Sequence, residues 1–225
     1  MPKLDQRLKA VAQCIRHRSH ADVGSDHGHL LAALLASGRV ERGIAIENKK
    51  QPLENSRATL QGYPAEVRFG DGLESLRTGE VDGLSVCGMG GETIVEILRR
   101  FPDRVPERVV LQPNRRPERV REWGLQAGYR LVEEQIVFGH WPYQIIALQR
   151  MDTPKASDPA YDGLDHRAAL LFGPLNLKRG DERWFTRLRE EREYLRRLDV
   201  LGEEARDRLE AINRLLFPGT KPTAG

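Results

Sequence analysis

Residues 21–31 constrain the fold of this chain more than any other stretch, because they combine a strand, a glycine turn and a helix in immediate succession. The β-favouring residues end in Val23, the chain turns at Gly24, and leucines recur from Leu30 onward at helical spacing. A helix that begins directly after such a turn leaves its first backbone N–H groups free to bind a ligand. We therefore expect a small-molecule site here, formed by Asp22, Gly24, Ser25, Asp26 and His27.

The glycine spacing of this segment differs at one position from the pattern that binds a dinucleotide. In that pattern the middle glycine lets the backbone approach a pyrophosphate, whereas Asp26 occupies the position here and Gly28 follows it. A carboxylate repels phosphate but attracts cationic groups. S-adenosylmethionine carries both an ammonium and a sulfonium group, so Asp26 favours this methyl donor over NAD. The alternative role for Asp26 is to cap the following helix.

Strands and helices alternate along the chain up to residue 150. Residues 3–16 have the apolar spacing of an amphipathic helix, and residues 117–126 are also helical. After the first strand, strand patterns recur at residues 43–47, 65–70, 81–87, 108–111, 129–138 and 143–149. This alternation indicates a parallel, doubly wound α/β sheet that ends in an antiparallel hairpin. Such a sheet is typical of Rossmann-like class I methyltransferases.

Acidic residues follow the second and third strands, where a doubly wound sheet binds its ligands. Glu47 comes 25 residues after Asp22, close to the ~20-residue separation at which an acid binds ribose hydroxyls. Asp71, followed by Gly72, is placed to accept a hydrogen bond from an adenine amino group. Both acids have an alternative role as caps of the next helix or turn.

The fourth and fifth strands end in residues that suit a binding cleft. Gly88-Met89-Gly90-Gly91 allows the backbone to approach a donor and an acceptor closely, and the alternative is a plain strand-to-helix turn. Gln112-Pro113-Asn114 adds side-chain amides beside the same cleft, unless it is an ordinary turn. We assign cofactor binding to Gly88 and Gly90, and catalysis to Asp26, Gly88, Met89 and Asn114.

The sequence gives no support for a metal, disulfide or membrane site. His27 and His29 without paired cysteines are a poor zinc set, so we expect no metal. Cys14 and Cys87 have no partner pattern and are expected to be free thiols in a reducing compartment. No apolar run approaches the ~20 residues of a membrane span, and the N-terminal residues lack a secretory h-region. We expect a cytoplasmic monomer.

The composition changes after Arg150, which indicates a second domain. Residues 151–165 are rich in Pro, Asp and Gly and are typical of a linker. From Asp181 onward, two amphipathic stretches meet near residues 200–202, which predicts a C-terminal α-helical hairpin, or coiled coil. We place a class I methyltransferase domain at residues 1–152, and a linker with the helical hairpin at residues 153–225.

Basic residues cluster in two places, although the formal net charge is only +3. One cluster follows Asn114 on the loop and helix that flank the cleft, and it comprises Arg115, Arg116, Arg119 and Arg121. The other crowds residues 178–197, although residues 151–225 carry 14 Lys+Arg and 14 Asp+Glu. A solvated face is the alternative. Beside a methyl-donor site we favour contacts with an RNA backbone, made by Arg115, Arg116, Lys178, Arg179, Arg183 and Arg187.

Together these motifs resemble the bacterial TrmK-type family of tRNA methyltransferases, which methylate N1 of adenosine 22. The resemblance spans residues 4–149 and rests on ADVGSDHGHL, the acid at Glu47, GDGL, CGMGG and LQPN. It implies a class I fold, S-adenosylmethionine as donor, and tRNA as acceptor. It also implies donor binding by Gly24, Asp26, His27, Glu47, Asp71 and Gly72, and a catalytic cleft formed by residues 88–91 and Asn114.

The reaction that the family performs sets modest chemical demands. Adenine N1 carries no proton in neutral solution, so no general base is needed. The protein has to align the reactants and to accept a hydrogen bond from the exocyclic amine, for which Asp26 is the candidate and the carbonyls near Gly88 are competitors. Met89 and Tyr143 are candidates to stack on the base. Two alternatives stay open, namely a small-molecule methyltransferase and a non-catalytic RNA-binding protein with a degenerate donor pocket.

Overall fold

The structure is a computed structural model that describes residues 3–139, 141–153 and 157–217. The chain divides into two compact units, Met1–Ala156 and Ser157–Gly225. No helix among the described residues is both long enough and apolar enough to cross a membrane.

The first unit contains a seven-stranded sheet. Its strands are β1 (Ser19–Val23), β2 (Arg42–Glu47), β3 (Ala65–Phe69), β4 (Gly83–Gly90), β5 (Arg108–Arg115), β6 (Tyr129–Phe138) and β7 (Pro142–Arg150). They are arranged in the order β3-β2-β1-β4-β5-β7-β6. The first five strands run parallel, whereas β7 is antiparallel to both β5 and β6. The predicted α/β class and terminal hairpin are therefore confirmed.

The α-helices described in the first unit are α1 (Gln6–Gln13), α2 (His29–Ala36), α3 (Lys50–Leu60), α4 (Gly91–Arg100) and α5 (Pro117–Gln126). Helix α1 is shorter than the predicted residues 3–16, because the Asp5 side chain caps it by accepting from Leu8 N at 2.7 Å. Val11 and Leu31 are fully buried where these helices meet the sheet. Every residue of β1 is buried, as expected for a central parallel strand.

Strands β4 and β5 run beyond their predicted ends. Met89 pairs with Pro113 and Gly90 pairs with Arg115, with register shifts on either side of Met89. Residues 88–90 are thus the bulged end of β4, which corrects the predicted end of this strand at residue 87. A bulge tolerates glycine and proline that a regular central strand would exclude.

The second unit contains α6 (His166–Phe172), α7 (Pro174–Arg179), α8 (Glu182–Arg196) and α9 (Glu203–Leu216). Helices α8 and α9 pack together as the predicted hairpin, and the Arg208 guanidinium joins them by donating to Glu191 at 2.5 and 2.9 Å. Helix α6 also packs on α9. Phe172 and Trp184 meet edge to face in the core of this unit. The sequence did not predict α6 and α7.

Candidate functional site

Two cavities lie at the carboxyl edge of the parallel strands, where the strand order reverses between β1 and β4. The smaller measures about 210 Å³ and the larger about 510 Å³, and Gly24 and Met89 line both. Gly24 has φ +68°, and a Cβ there would lie 2.3 Å from Met89 Cε. The glycine turn after β1 therefore lets the methionine side chain rest directly on the backbone between the cavities.

The smaller cavity combines apolar walls with a fixed acceptor. Its walls include the isoleucines Ile46 and Ile97. Asp71 and Gly72 line it after β3. The Asp71 carboxylate accepts from Arg100 Nη1 at 2.7 Å and from Asn48 Nδ2 at 3.3 Å. This arrangement suits a flat ring that carries an amino group.

Asp22 brings a buried carboxyl group to the larger cavity, and only 3% of the residue is exposed. Ser85 Oγ donates to Asp22 Oδ1 at 2.5 Å and lies 2.9 Å from His20 Nε2, while His20 Nδ1 lies 3.0 Å from His17 Nε2. Burial raises the pKa of Asp22 to about 6, although the hydrogen bond from Ser85 opposes the rise. Burial lowers the pKa of His20 and keeps it neutral. A cationic ligand would favour the ionised form of Asp22.

Asp26 and Glu47 are linked through the backbone, because Asp26 N–H donates to Glu47 Oε1. Burial raises the pKa of Glu47, and this N–H opposes the rise. The Asp26 side chain is 72% exposed and lines the larger cavity. The cap of α2 is Gly28, so the structure excludes the capping role for Asp26. Glu47 lines neither cavity among the described residues, and its contact with ribose stays a prediction.

The remaining loop residues, Ser25, His27 and His29, also line the larger cavity. The rings of His27 and His29 stack with their centroids 5.4 Å apart, and both side chains are exposed. Within the described ranges, no group of three or more His, Cys, Asp and Glu side chains is arranged to hold a metal ion. Burial raises the pKa of Cys14 to about 12, and it raises the pKa of Cys87 as well, so neither thiol is an activated nucleophile.

Gly88, Gln112 and Asn114 tie the ends of β4 and β5 together. Gly88 N–H donates to Gln112 Oε1 at 3.1 Å, and Asn114 Nδ2 donates to Gly88 O at 2.6 Å. Gly88 and Asn114 both line the larger cavity, as predicted for the cleft, whereas Gly90 lines neither cavity in the part of the chain described. The assignment of Gly90 to the cofactor stays a prediction.

Arg7 of α1 is a site residue that sequence reasoning missed. Its Nη1 donates to Gln112 Oε1 at 2.5 Å, and its guanidinium lies 5.9 Å from the ring centroid of Tyr143. Arg7 and Tyr143 both line the larger cavity. The sequence signal for Arg7 was its position on the apolar face of the first helix, since Arg7 lies at helical spacing between Leu4 and Val11.

The arginines after Asn114 lie in different environments. Arg115 is exposed at the carboxyl edge. Arg116 pairs with Glu118 at 2.6 Å. Arg121 lies in α5 as expected, but it is fully buried and donates to Glu134 at 2.7 Å, so it is not part of a basic surface.

In the second unit, Lys178 Nζ donates to the backbone of Pro159 at 3.0 Å, and Arg187 pairs with Glu190 at 3.1 Å. Arg179 donates to Asn176 at 3.2 Å, and Arg183 lies in the first turn of α8. Their predicted contact with RNA stays a prediction.

Three comparisons place this site among known proteins. A methyltransferase-domain family matches residues 4–146. The chain is 33% identical over 184 residues to the tRNA (adenine(22)-N(1))-methyltransferase of Bacillus subtilis (strain 168), and the match covers 78% of this chain and 76% of that protein.

Solved structures agree with these matches. The crystal structure of the B. subtilis M1A22 tRNA methyltransferase TrmK is similar with a TM-score of 0.80 and 27% identity, covering 96% of this chain and 97% of that chain. Streptococcus pneumoniae Sp1610 in complex with S-adenosyl-L-methionine is similar with a TM-score of 0.78 and 25% identity, covering 95% of this chain and 100% of that chain.

Proposed function

The chain belongs to the tRNA (adenine(22)-N(1))-methyltransferase family, and from this membership we propose that it transfers a methyl group from S-adenosylmethionine to N1 of adenosine 22 in tRNA. The observation that carries the proposal is the pair of cavities at the reversal of strand order, one apolar with a fixed acceptor and one lined by carboxylates and an amide.

The cavities fit the two ends of the methyl donor. Asp71 accepts from the adenine amine beside the apolar walls, and Asp22 and Asp26 face the cationic methionine end. Glu47, next to the glycine turn, binds the ribose. Three carboxyl groups line the larger cavity, those of Asp5, Asp22 and Asp26, beside the single guanidinium of Arg7 in the described residues, and this excess of negative groups favours a ligand with positive charge.

The donor supplies an electrophilic methyl group, and the acceptor needs no base because adenine N1 already carries its lone pair. The N1–methyl bond forms as the sulfur–methyl bond breaks, which leaves S-adenosylhomocysteine and a cationic adenine. The residues of the larger cavity therefore act by placement and by accepting hydrogen bonds as charge develops on the base. Asp26 accepts one hydrogen of the exocyclic amine of the acceptor adenine, and Tyr143 and Met89 contact the adenine ring.

The acceptor RNA is bound by cations outside the cavities. Arg115, exposed at the carboxyl edge of the sheet, contacts the phosphate backbone beside the target nucleotide. Arg116 adds to this contact, and the second unit binds the RNA backbone through Lys178, Arg179, Arg183 and Arg187. A cytoplasmic location and a monomeric state remain predictions from the sequence.

The decisive experiment incubates the purified protein with labelled donor and unmodified tRNA, followed by nucleoside mass spectrometry and mapping of the modified position. We expect 1-methyladenosine at position 22. Methylation of a small molecule but not of tRNA would favour a small-molecule methyltransferase. An absence of donor binding by calorimetry, together with tRNA binding, would indicate a non-catalytic RNA-binding protein.

A further inference from the structure

The buried amide of Gln112 receives two donors at a single oxygen. Arg7 Nη1 lies 2.5 Å from Gln112 Oε1, and Gly88 N lies 3.1 Å from the same atom. Gln112 is fully buried, with 0% of its surface exposed. A guanidinium and a backbone N–H can only donate, so the oxygen of this carboxamide has to face them. Its nitrogen has to face the other way.

This orientation sets that of Asn114. Gln112 Nε2 donates to Asn114 Oδ1 at 3.2 Å, and Asn114 therefore turns its own nitrogen to Gly88 O at 2.6 Å. In the opposite orientation, the NH2 group of Asn114 would face the NH2 group of Gln112, and the Asn114 side-chain oxygen would face the carbonyl oxygen of Gly88. Asn114 is exposed to the larger cavity. It keeps one lone pair on Oδ1 and one hydrogen on Nδ2 for a ligand.

We propose that Arg7 is a positioning residue that orients Asn114 through Gln112, and that this orientation makes the larger cavity select a purine with a 6-amino group. Adenine offers an amino donor and the N7 acceptor along one edge, a pair that asparagine recognises. Recognition at that edge leaves N1 free for the methyl group and leaves the second amino hydrogen for Asp26. A 6-oxo purine would set an acceptor against Asn114 Oδ1.

The inference rests on the proposed function and deepens it, so its test uses tRNA. Two substrates are compared that carry either adenosine or purine riboside at position 22, since purine riboside lacks only the 6-amino group. The ratio of their kcat/KM values at saturating donor is measured for the wild type, Arg7→Met and Lys9→Met. Lys9 is an exposed cation of the same helix, and its substitution is the matched control.

The wild type and Lys9→Met are expected to prefer adenosine by about tenfold or more, because an unmade hydrogen bond at a buried site has that effect. Arg7→Met should reduce the wild-type preference by about threefold or more, through a lower kcat on the adenosine substrate, and the part of the preference that Asp26 contributes should remain. Arg7→Lys keeps a donor and should restore most of the preference.

Gln112→Glu provides a second variant, which keeps a hydrogen-bond acceptor for Arg7. A carboxylate still accepts from Arg7 and Gly88 but cannot donate to Asn114, so the Asn114 nitrogen turns toward it. This variant should lose about the same part of the preference for adenosine as Arg7→Met while Arg7 is present, and it replaces Arg7→Met in the test if that variant fails to fold.

Four results would overturn the inference. The first is a raised KM with an unchanged preference in Arg7→Met and Gln112→Glu, since Arg7 would then only bind phosphate. The second is a loss of donor affinity and melting temperature with an unchanged preference, since its role would then be structural. An inactive wild type would overturn the proposed function and with it this inference, whereas an active wild type with unaltered variants would overturn the inference alone.

Discussion

The carboxylate of Asp26 is available for chemistry rather than for folding. Its side chain is 72% exposed, its partner His27 lies 3.7 Å away, and it caps no helix. Asp26→Asn should therefore change the free energy of unfolding by no more than about 0.5 kcal/mol. It should lower the methylation rate by about tenfold or more, because the charge on adenine develops only in the transition state. Donor affinity should fall less.

Single-turnover methylation of tRNA at saturating donor measures this effect. Glu41→Gln, an exposed acid beside the start of β2 at the opposite edge of the sheet, serves as the control and should match the wild type. A rate for Asp26→Asn within about twofold of the wild type, well below the tenfold that ~1.4 kcal/mol produces, would remove Asp26 from the catalytic group.

Asp22 makes the stability of the ligand-free protein depend on pH. Its folded-state pKa of about 6 lies above the value of 3.8 for an unperturbed aspartate, so the folded state holds the proton more tightly. The resulting stabilisation is complete below pH 4 and is lost as the pH rises to 6, a loss of roughly 3 kcal/mol. Asp22→Asn has no such proton, so its unfolding free energy relative to wild type should increase between pH 4 and pH 7.

Urea unfolding of both proteins across this range tests the expectation. Ser85→Ala removes the hydrogen bond that lowers the pKa of Asp22, and it should move the pH window upward. Parallel stability curves for the wild type and Asp22→Asn would contradict the assignment of a raised pKa to this carboxyl group.

At the scale of elements, the sequence predicted the strands better than their ends. Apolar runs located the central strands, because buried parallel strands are rich in aliphatic residues. Alternation located β3, whose residues are half-buried or exposed. The bulged ends of β4 and β5 contain glycine and proline, which argue locally against a strand, and only pairing between the two strands keeps them extended. Helix α6 is a short run of buried apolar residues after a Pro- and Gly-rich segment, so no polar face marked it as helical.

The sequence located residues that line the cavities where each depends on a single strand end, as at Asp22, Asp71 and Asn114. Residues were missed where their positions depend on tertiary packing. Arg7 reaches Gln112 across 105 residues of sequence, and Arg121 turns inward because Glu134 lies in the core. Neither interaction has a local sequence signal beyond a charge in an apolar stripe.

Gly91 governs how closely α4 approaches the connection from β5 to α5. A Cβ on Gly91 would lie 2.1 Å from the backbone oxygen of Arg116, whereas a Cβ on Gly90 would meet nothing closer than 3.7 Å. Gly91→Ala should destabilise the fold by about 1–3 kcal/mol, because backbone atoms would have to move. Gly90→Ala, at φ −68°, is the control. Equal urea midpoints for the two variants would show that the close approach of Gly91 to Arg116 does not contribute to stability.

At the scale of the whole molecule, the chain separates a site for chemistry from a basic helical surface. The cavities are lined by residues of the first unit, Met1–Ala156. The cations of the second unit are partly compensated, since Arg187 pairs with Glu190 and Arg189 pairs with Glu182. Such exposed pairs are weak, so phosphate can displace the acids at little cost.

This separation predicts that tRNA affinity and donor affinity respond to different parts of the chain. In the full-length protein, replacing Lys178, Arg179, Arg183 and Arg187 by Gln should weaken tRNA binding at low salt and leave donor affinity within about twofold. The slope of log K against log salt should become shallower by about 0.9 for each phosphate that the variant no longer neutralises, because fewer counterions are released. Arg115→Gln, at the cleft in the first unit, should make the slope shallower by about the value for one phosphate.

A chain ending at residue 156 should keep donor binding and bind tRNA without the contribution of the tail. Filter binding between about 50 and 200 mM salt and calorimetry with the donor measure these quantities. If the wild type, the variant with four substitutions and the shortened chain had equal tRNA affinities and equal slopes of log K against log salt, the basic face of the tail would be only solvated.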